Sequence, residues 1–221
     1  MPASKSPQAI DTHAHVFSAT APAVPGARYR PAYAATLDGW RSRWESAGIT
    51  RGVRAMRLNL KGVEDYEGFA APPWRALYER AHVAGWHVEI FIDAGRLPEV
   101  AHMFEGIPVP LVFDHFGNPG RGDRALDATF NAVRELAASR AVWCKLSAPY
   151  RLEGWEPHAL VVRWLDAVGP QRVVWGSDWP GTGFEATHDY AKMRAALDDW
   201  IGGHRAHAAL WDNAARLYQF A

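Results

Sequence analysis

Leu111-Val112-Phe113-Asp114-His115-Phe116-Gly117 breaks an apolar run abruptly on an acid and a histidine. A short continuous apolar run of this kind suits a strand buried on both faces, as in a parallel sheet. Two further stretches share the plan. Residues 9–16 contain Asp11-Thr12-His13-Ala14-His15, and residues 173–177 run through Trp175-Gly176-Ser177 into Asp178-Trp179-Pro180. Residues 52–60, 88–92 and 142–146 complete a set of six strand candidates. Helical patterns lie between them, at about 35–47, 73–84, 97–105, 123–139, 157–168 and 187–201. The stretch 204–218 reads as one or two short helices. Asp123 and Thr187 are the expected N-caps. Gly48, Gly85, Gly106 and Gly169 stand where a left-handed C-terminal residue is expected. Strand and helix in alternation predict an α/β fold with a parallel sheet.

Composition narrows the class. Lysine plus arginine number 24, and aspartate plus glutamate number 24. A net charge of zero argues against nucleic acid and against a polybasic membrane surface, since both need clustered positive charge. The apolar share of 48% is ample for a folded core. No apolar run reaches the ~18–20 residues that cross a bilayer. The opening MPASKSPQA is short and polar, so residues 1–8 are expected to be a disordered tip. It lacks the apolar stretch of a signal peptide, and the expected location is the cytoplasm. The single Cys144 permits no internal disulfide and is read as a buried, inert thiol. One domain over 1–221 is the default, although an eight-unit β/α barrel typically takes ~250 residues.

The polar strand ends are the candidates for chemistry, because β/α barrels place their active sites at the carboxyl ends of strands. His13 and His15 are two apart on a strand and face one space. They are either a polar strand end or a pair that shares a metal or polarises a carbonyl. His115 is either a hydrogen-bonded loop histidine or a group that reaches the pocket. Asp178 is either a turn acid or a general base or metal ligand. Arg57 and Lys145 are cations inside apolar strands, so each must meet a carboxylate of the protein or of a substrate. Tyr150-Arg151 follows the Lys145 strand, and Arg151 is either a solvated charge or a bidentate grip on an acidic substrate. Trp40, Trp44, Trp74, Trp164 and Trp200 fall in helical segments and are read as cover for the core. His82, His102, His158, His188, His204 and His207 are read as surface or packing residues. There is no phosphate-cradling loop, no GxSxG elbow and no CxxC pair.

These constellations, in this order, resemble the amidohydrolase-related family, which has a TIM-barrel fold. The surroundings are similar to its 2-pyrone-4,6-dicarboxylate lactonase branch. The matching segments are 12–17, 52–59, 85–88, 114–119, 145–151, 175–180 and 212–218. The resemblance implies hydrolysis of a lactone on a TIM-barrel-like parallel β/α fold. It implies Asp178 as the base that activates water, with His13, His15 and His115 around the reacting carbonyl. Arg57, Lys145, Tyr150 and Arg151 would bind a small carboxylated substrate. No cofactor is expected in that branch. In metal-binding relatives His13, His15 and Asp178 would hold a divalent cation such as zinc.

The departures from the pattern are specific. Phe91 stands where metal-dependent relatives place a histidine, Gly181 where relatives often carry histidine, and Asn118 where a basic residue is common. Residues 49–53 run straight into the Arg54–Asn59 segment, where relatives insert roughly two more βα units. The expected barrel is therefore incomplete, with an internal deletion. Its exposed sheet edges predict a homo-oligomer. Two other readings stay open: a zinc-dependent hydrolase or decarboxylase, and a barrel remnant without catalysis.

Overall fold

The computed structural model describes residues 9–10, 12, 33–36, 39, 42, 49–50 and 55–219. Asp11, His13, His15, the proline-bearing 18–31 segment, Gly48, the 1–8 tip and most of the expected 35–47 helix lie outside the described residues.

Among the described residues, all strand pairs are parallel. β1 (Ala9–Ile10) pairs with β2 (Ile49–Thr50). β3 (Ala55–Asn59), β4 (His87–Phe91), β5 (Leu111–Phe113), β6 (Val142–Leu146) and β7 (Val173–Trp175) form one five-stranded sheet in chain order. The two sheets meet at Thr12. Its N–H and its hydroxyl both donate to the Trp175 carbonyl, at 3.3 and 2.6 Å. The chain leaving β1 thus lies beside β7, first strand against last, which is how a β/α barrel closes. The architecture is TIM-barrel-like. The strand expected across 52–60 is Ala55–Asn59, which joins β4, while Ile49–Thr50, just before it, is a separate strand that joins β1.

Period-two alternation sorts the strand residues into two faces. Leu58, Val88, Ile90, Leu111, Phe113, Val142, Cys144, Leu146, Val173 and Trp175 enter the main core beneath the helices. Val112, Trp143 and Val174 face the other way, where Ala214, Leu217 and Tyr218 close over them. The same inward face carries Arg57, His87, Glu89 and Lys145. β4 and β6 are buried along their whole length, so their charges are interior charges.

The helices cover the outer face. α1 (Pro72–Val83) starts on prolines, whose missing N–H is no loss in a first turn. α2 (Asp123–Ala137) buries Leu126, Phe130 and Val133 at helical spacing. α3 (Pro157–Val168) buries Leu160, Val161 and Trp164. α4 (Tyr190–Ile201) leads to α5 (Gly203–His207), a π-helical turn over Ala208–Asp212, and α6 (Asn213–Tyr218). Three expectations change. The 97–105 helix is a 3₁₀ helix over Leu97–Phe104, and its buried Leu97, Val100 and Met103 repeat every third residue, the 3₁₀ period. Gly122 rather than Asp123 occupies the cap of α2, leaving Asp123 in the first turn. Asp189 rather than Thr187 caps α4, its side chain accepting the Lys192 N–H at 2.9 Å. Among the described residues, no helix is long and apolar enough to cross a membrane.

Candidate active site

The carboxyl ends of β5, β6 and β7 each pass into a left-handed residue that is not glycine. His115 has φ +53° and Phe116 φ +55°, Ala148 has φ +49°, and Asp178 has φ +55°. Each such L-residue costs ~1–2 kcal/mol. Strain at three neighbouring strand ends points to a site whose surroundings hold it in place. At the end of β5 the holding group is Trp164 of α3. Its indole N–H donates to the Phe116 carbonyl at 2.9 Å. Gly117 permits this approach, because a Cβ there would lie 2.7 Å from Trp164 Cζ2.

These turns bring four predicted residues together. Asp178 is wholly buried, and its Oδ2 accepts the Tyr150 O–H at 2.8 Å and Arg151 Nε at 3.1 Å. Its Oδ1 faces His115 Nε2 at 3.8 Å, beyond hydrogen-bond reach. The other ring nitrogen of His115, Nδ1, sits 2.8 Å from Ser147 Oγ, and Phe91 packs edge-on against the ring at 4.8 Å. Burial, reinforced by the Asp178 charge, pushes the Tyr150 phenol well above its ordinary pKa. It therefore stays protonated and donates to Asp178.

A second group lines the inward face. Arg57 Nε donates to Asp114 Oδ2 at 2.8 Å. Lys145 Nζ lies 3.2 Å from Asp114 Oδ1 and 2.8 Å from Glu89 Oε2. Glu89 Oε1 accepts the Tyr218 O–H at 2.6 Å and lies 3.3 Å from His87 Nε2. Two cations thus face two carboxylates in the barrel interior, as a buried charge requires. Burial works to raise the Glu89 carboxyl, but Lys145 and the His87 bond outweigh it and hold it below the usual carboxylate range. Burial also opposes the Arg57 charge, and Asp114 more than restores it.

The structure places the expected residues unevenly. His115, Tyr150, Arg151 and Asp178 converge. Arg57 approaches them across Phe91, with its guanidinium 5.3 Å from that ring and its side chain 26% exposed. Lys145, expected against substrate, is corrected to an interior position, because its side chain has no exposed surface and two protein carboxylates hold it. His13 and His15 lie outside the described residues. His188, read as a packing residue, donates Nε2–H to the Ser177 carbonyl at 2.9 Å.

The sequence reading missed Ser147, Glu89 and Tyr218. Ser147 was available from period two, since it follows Lys145 by two residues. Glu89 is a charge in an apolar strand, the signal that singled out Arg57 and Lys145. Nothing local marked Tyr218, whose hydroxyl also lies 3.2 Å from the Thr12 carbonyl.

The described donor set is a poor fit to a resident cation. Asp178 Oδ2 already takes a phenol and a guanidinium, Arg151 would repel a metal at that carboxylate, and Phe91 offers no ligand atom.

A family model described as Amidohydrolase matches residues 41–220. The 2-pyrone-4,6-dicarboxylate hydrolase of Comamonas testosteroni is 33% identical over 191 residues, covering 76% of this chain and 59% of that protein. The chain thus spans about three fifths of the length of this curated relative. A Pseudomonas putida protein assigned as a 2-pyrone-4,6-dicarboxylic acid hydrolase superposes with a TM-score of 0.81 at 25% identity, over 97% of this chain and 98% of that one. An amidohydrolase from Burkholderia multivorans with bound zinc gives 0.64 at 27% identity, over 80% and 69%.

Proposed function

The chain belongs to the amidohydrolase family, and from that premise we propose that its site opens a small carboxylated lactone by attack of water. The observation that carries the proposal is the convergence of Asp178, His115, Tyr150 and Arg151 at strained strand ends. Asp178 is the general base. Tyr150 and Arg151 fix its Oδ2, so the carboxylate is held in one orientation with Oδ1 toward His115. Water gives its proton to Asp178 as its oxygen bonds to the lactone carbonyl carbon. His115 faces the carbonyl oxygen, where a ring N–H stabilises the developing oxyanion. The ring C–O bond then breaks, and the leaving oxygen takes the proton back from Asp178. His13 and His15 complete the carbonyl's surroundings in this reading, and Arg57 and Arg151 hold substrate carboxylates.

The step as proposed needs no resident metal. Amidohydrolases often use a divalent metal, but the cationic partners of Asp178 favour the metal-free reading over a zinc-dependent one. The test uses the full chain and 2-pyrone-4,6-dicarboxylate, followed by loss of pyrone absorbance. Asp178→Asn is expected to lower kcat by at least ~100-fold, the scale of a lost general base, with turnover unaffected by chelator. Equal rates in wild type and Asp178→Asn would overturn the proposal and leave the barrel a remnant without catalysis. Stoichiometric zinc whose removal abolishes turnover would overturn the metal-free part alone.

A further inference from the structure

We infer that His188 is a positioning residue for Asp178, closing the loop that presents the carboxylate; this rests on the reading of Asp178 as the base. After β7 the chain folds back in successive turns. The Gly181 N–H donates to the Asp178 carbonyl at 2.7 Å, the Phe184 N–H to the Gly181 carbonyl at 2.6 Å, and the His188 N–H to the Phe184 carbonyl at 2.9 Å. The His188 ring then returns to the start, with Nε2 at 2.9 Å from the Ser177 carbonyl. A carbonyl only accepts, so Nε2 carries the hydrogen. Residues 177–188 form a closed circuit of hydrogen bonds, and Asp178 sits inside it.

Asp178 needs such a circuit, because its φ of +55° is one that L-residues leave when unrestrained. The same loop fixes the groups on the carboxylate. Phe184 lies 4.9 Å from the Tyr150 ring and 4.8 Å from the Arg151 guanidinium. The His188 ring stands edge-on to Tyr150 at 6.2 Å. Arg151 Nη2 also donates to the Thr182 carbonyl at 2.8 Å.

Gly181 is independent support. A Cβ at that position would lie 2.5 Å from His188 Cβ and 2.7 Å from its Cγ. Residue 181 must therefore lack a side chain for His188 to reach Ser177. His188 acts through the Ser177 carbonyl and Tyr150, not on a reacting atom.

The test measures kcat and KM for pyrone-dicarboxylate opening in His188→Leu, His188→Gln and Gly181→Ala beside wild type and Asp178→Asn. His188→Leu should lower kcat about 3- to 12-fold, the factor expected for one lost hydrogen bond, and leave KM within about twofold. His188→Gln, whose amide N–H can still donate to Ser177, should restore most of kcat. Gly181→Ala should reproduce the loss by displacing residue 188. Separately from turnover, a long-range 1H–15N spectrum of the imidazoles should show His188 as its Nε2–H tautomer. Wild-type kcat in His188→Leu, no rescue by His188→Gln, or an Nδ1–H tautomer would overturn the inference while Asp178→Asn remains inactive. Full activity in Asp178→Asn would instead overturn the base assignment, and this inference with it.

Discussion

Replacing Lys145 by methionine tests whether the interior charges are a matched set. The side chain is unexposed, and its Nζ bridges Glu89 Oε2 at 2.8 Å and Asp114 Oδ1 at 3.2 Å. Methionine nearly matches the volume, so the cavity term is small and the loss is electrostatic. Asp114 keeps Arg57, but among the described residues Glu89 keeps the Tyr218 hydroxyl, at 2.6 Å, and His87, at 3.3 Å. Removing one partner of a buried pair costs ~3–5 kcal/mol, which in a chain of this size lowers Tm by roughly 6–20 °C. The cost must also depend on pH. In the native protein the Glu89 carboxyl is held low, so its contribution is whole above the ordinary glutamate pKa and fades only below it, as pH falls toward the lowered folded value. Without Lys145, burial dominates and raises the Glu89 pKa. Lys145→Met should then gain stability as pH falls from 7 toward ~4.5, because the folded state takes up the proton first. Urea unfolding at pH 7.5, 6 and 5 reads both effects. Adding Glu89→Gln should recover ~1–3 kcal/mol at pH 7.5. A Lys145→Met stability within ~0.5 kcal/mol of wild type, or one that does not rise between pH 7.5 and 5, would refute the matched-set reasoning.

Two further outcomes follow from the same geometry. Gly117→Ala combines a φ of +73° with a contact at 2.7 Å to Trp164; it should cost ~2–5 kcal/mol in urea unfolding and, by pushing Trp164 off the Phe116 carbonyl, lower kcat more than it raises KM. Tyr218→Phe removes the O–H given to Glu89 at 2.6 Å; it should lower stability by ~1.5–3 kcal/mol, the range for a bond to a charged group, with the urea m-value and the substrate KM unchanged.

How much of this was legible in the sequence depends on the range of the signal. Strand cores such as Leu111-Val112-Phe113 declare themselves, because burial on both faces demands an unbroken apolar run. The inward face was harder to read, since His87, Glu89, Trp143 and Lys145 alternate with apolar residues inside strands that look uniformly buried. Period two exposes that face once one charge on it is taken seriously. Asp178, His115, Tyr150 and Arg151 were legible as polar residues where strands end. His188 and Tyr218 were not, because each acts on a carbonyl or carboxylate brought near only by the closed fold. Tyr218 meets Glu89 from 129 positions away. The sequence suggested a splice near Val53, but not that Ile49–Thr50 and Ala55–Asn59 would pair with different strands.

The charge arithmetic sets what a carboxylated substrate can meet. The chain has no net charge to draw an anion in, and the described cations near the site are each paired with a protein carboxylate. Pairing does not use up an arginine, however. A guanidinium carries five N–H donors in a fixed plane, so one edge can bind a protein carboxylate while another is turned outward. Arg57 commits Nε to Asp114 and keeps 26% of its side chain exposed. Arg151 commits Nε and Nη2 to Asp178 and Thr182 and keeps 17%. Lys145 also divides itself, between Glu89 and Asp114, but with no exposed surface it does so wholly inside the protein. Asp114 therefore acts less as a neutraliser of Arg57 than as the group that aims it. An aimed guanidinium gives up little rotamer entropy when it grips a second carboxylate, so in the proposed reaction Arg57, the more exposed of the two, would be the stronger anchor.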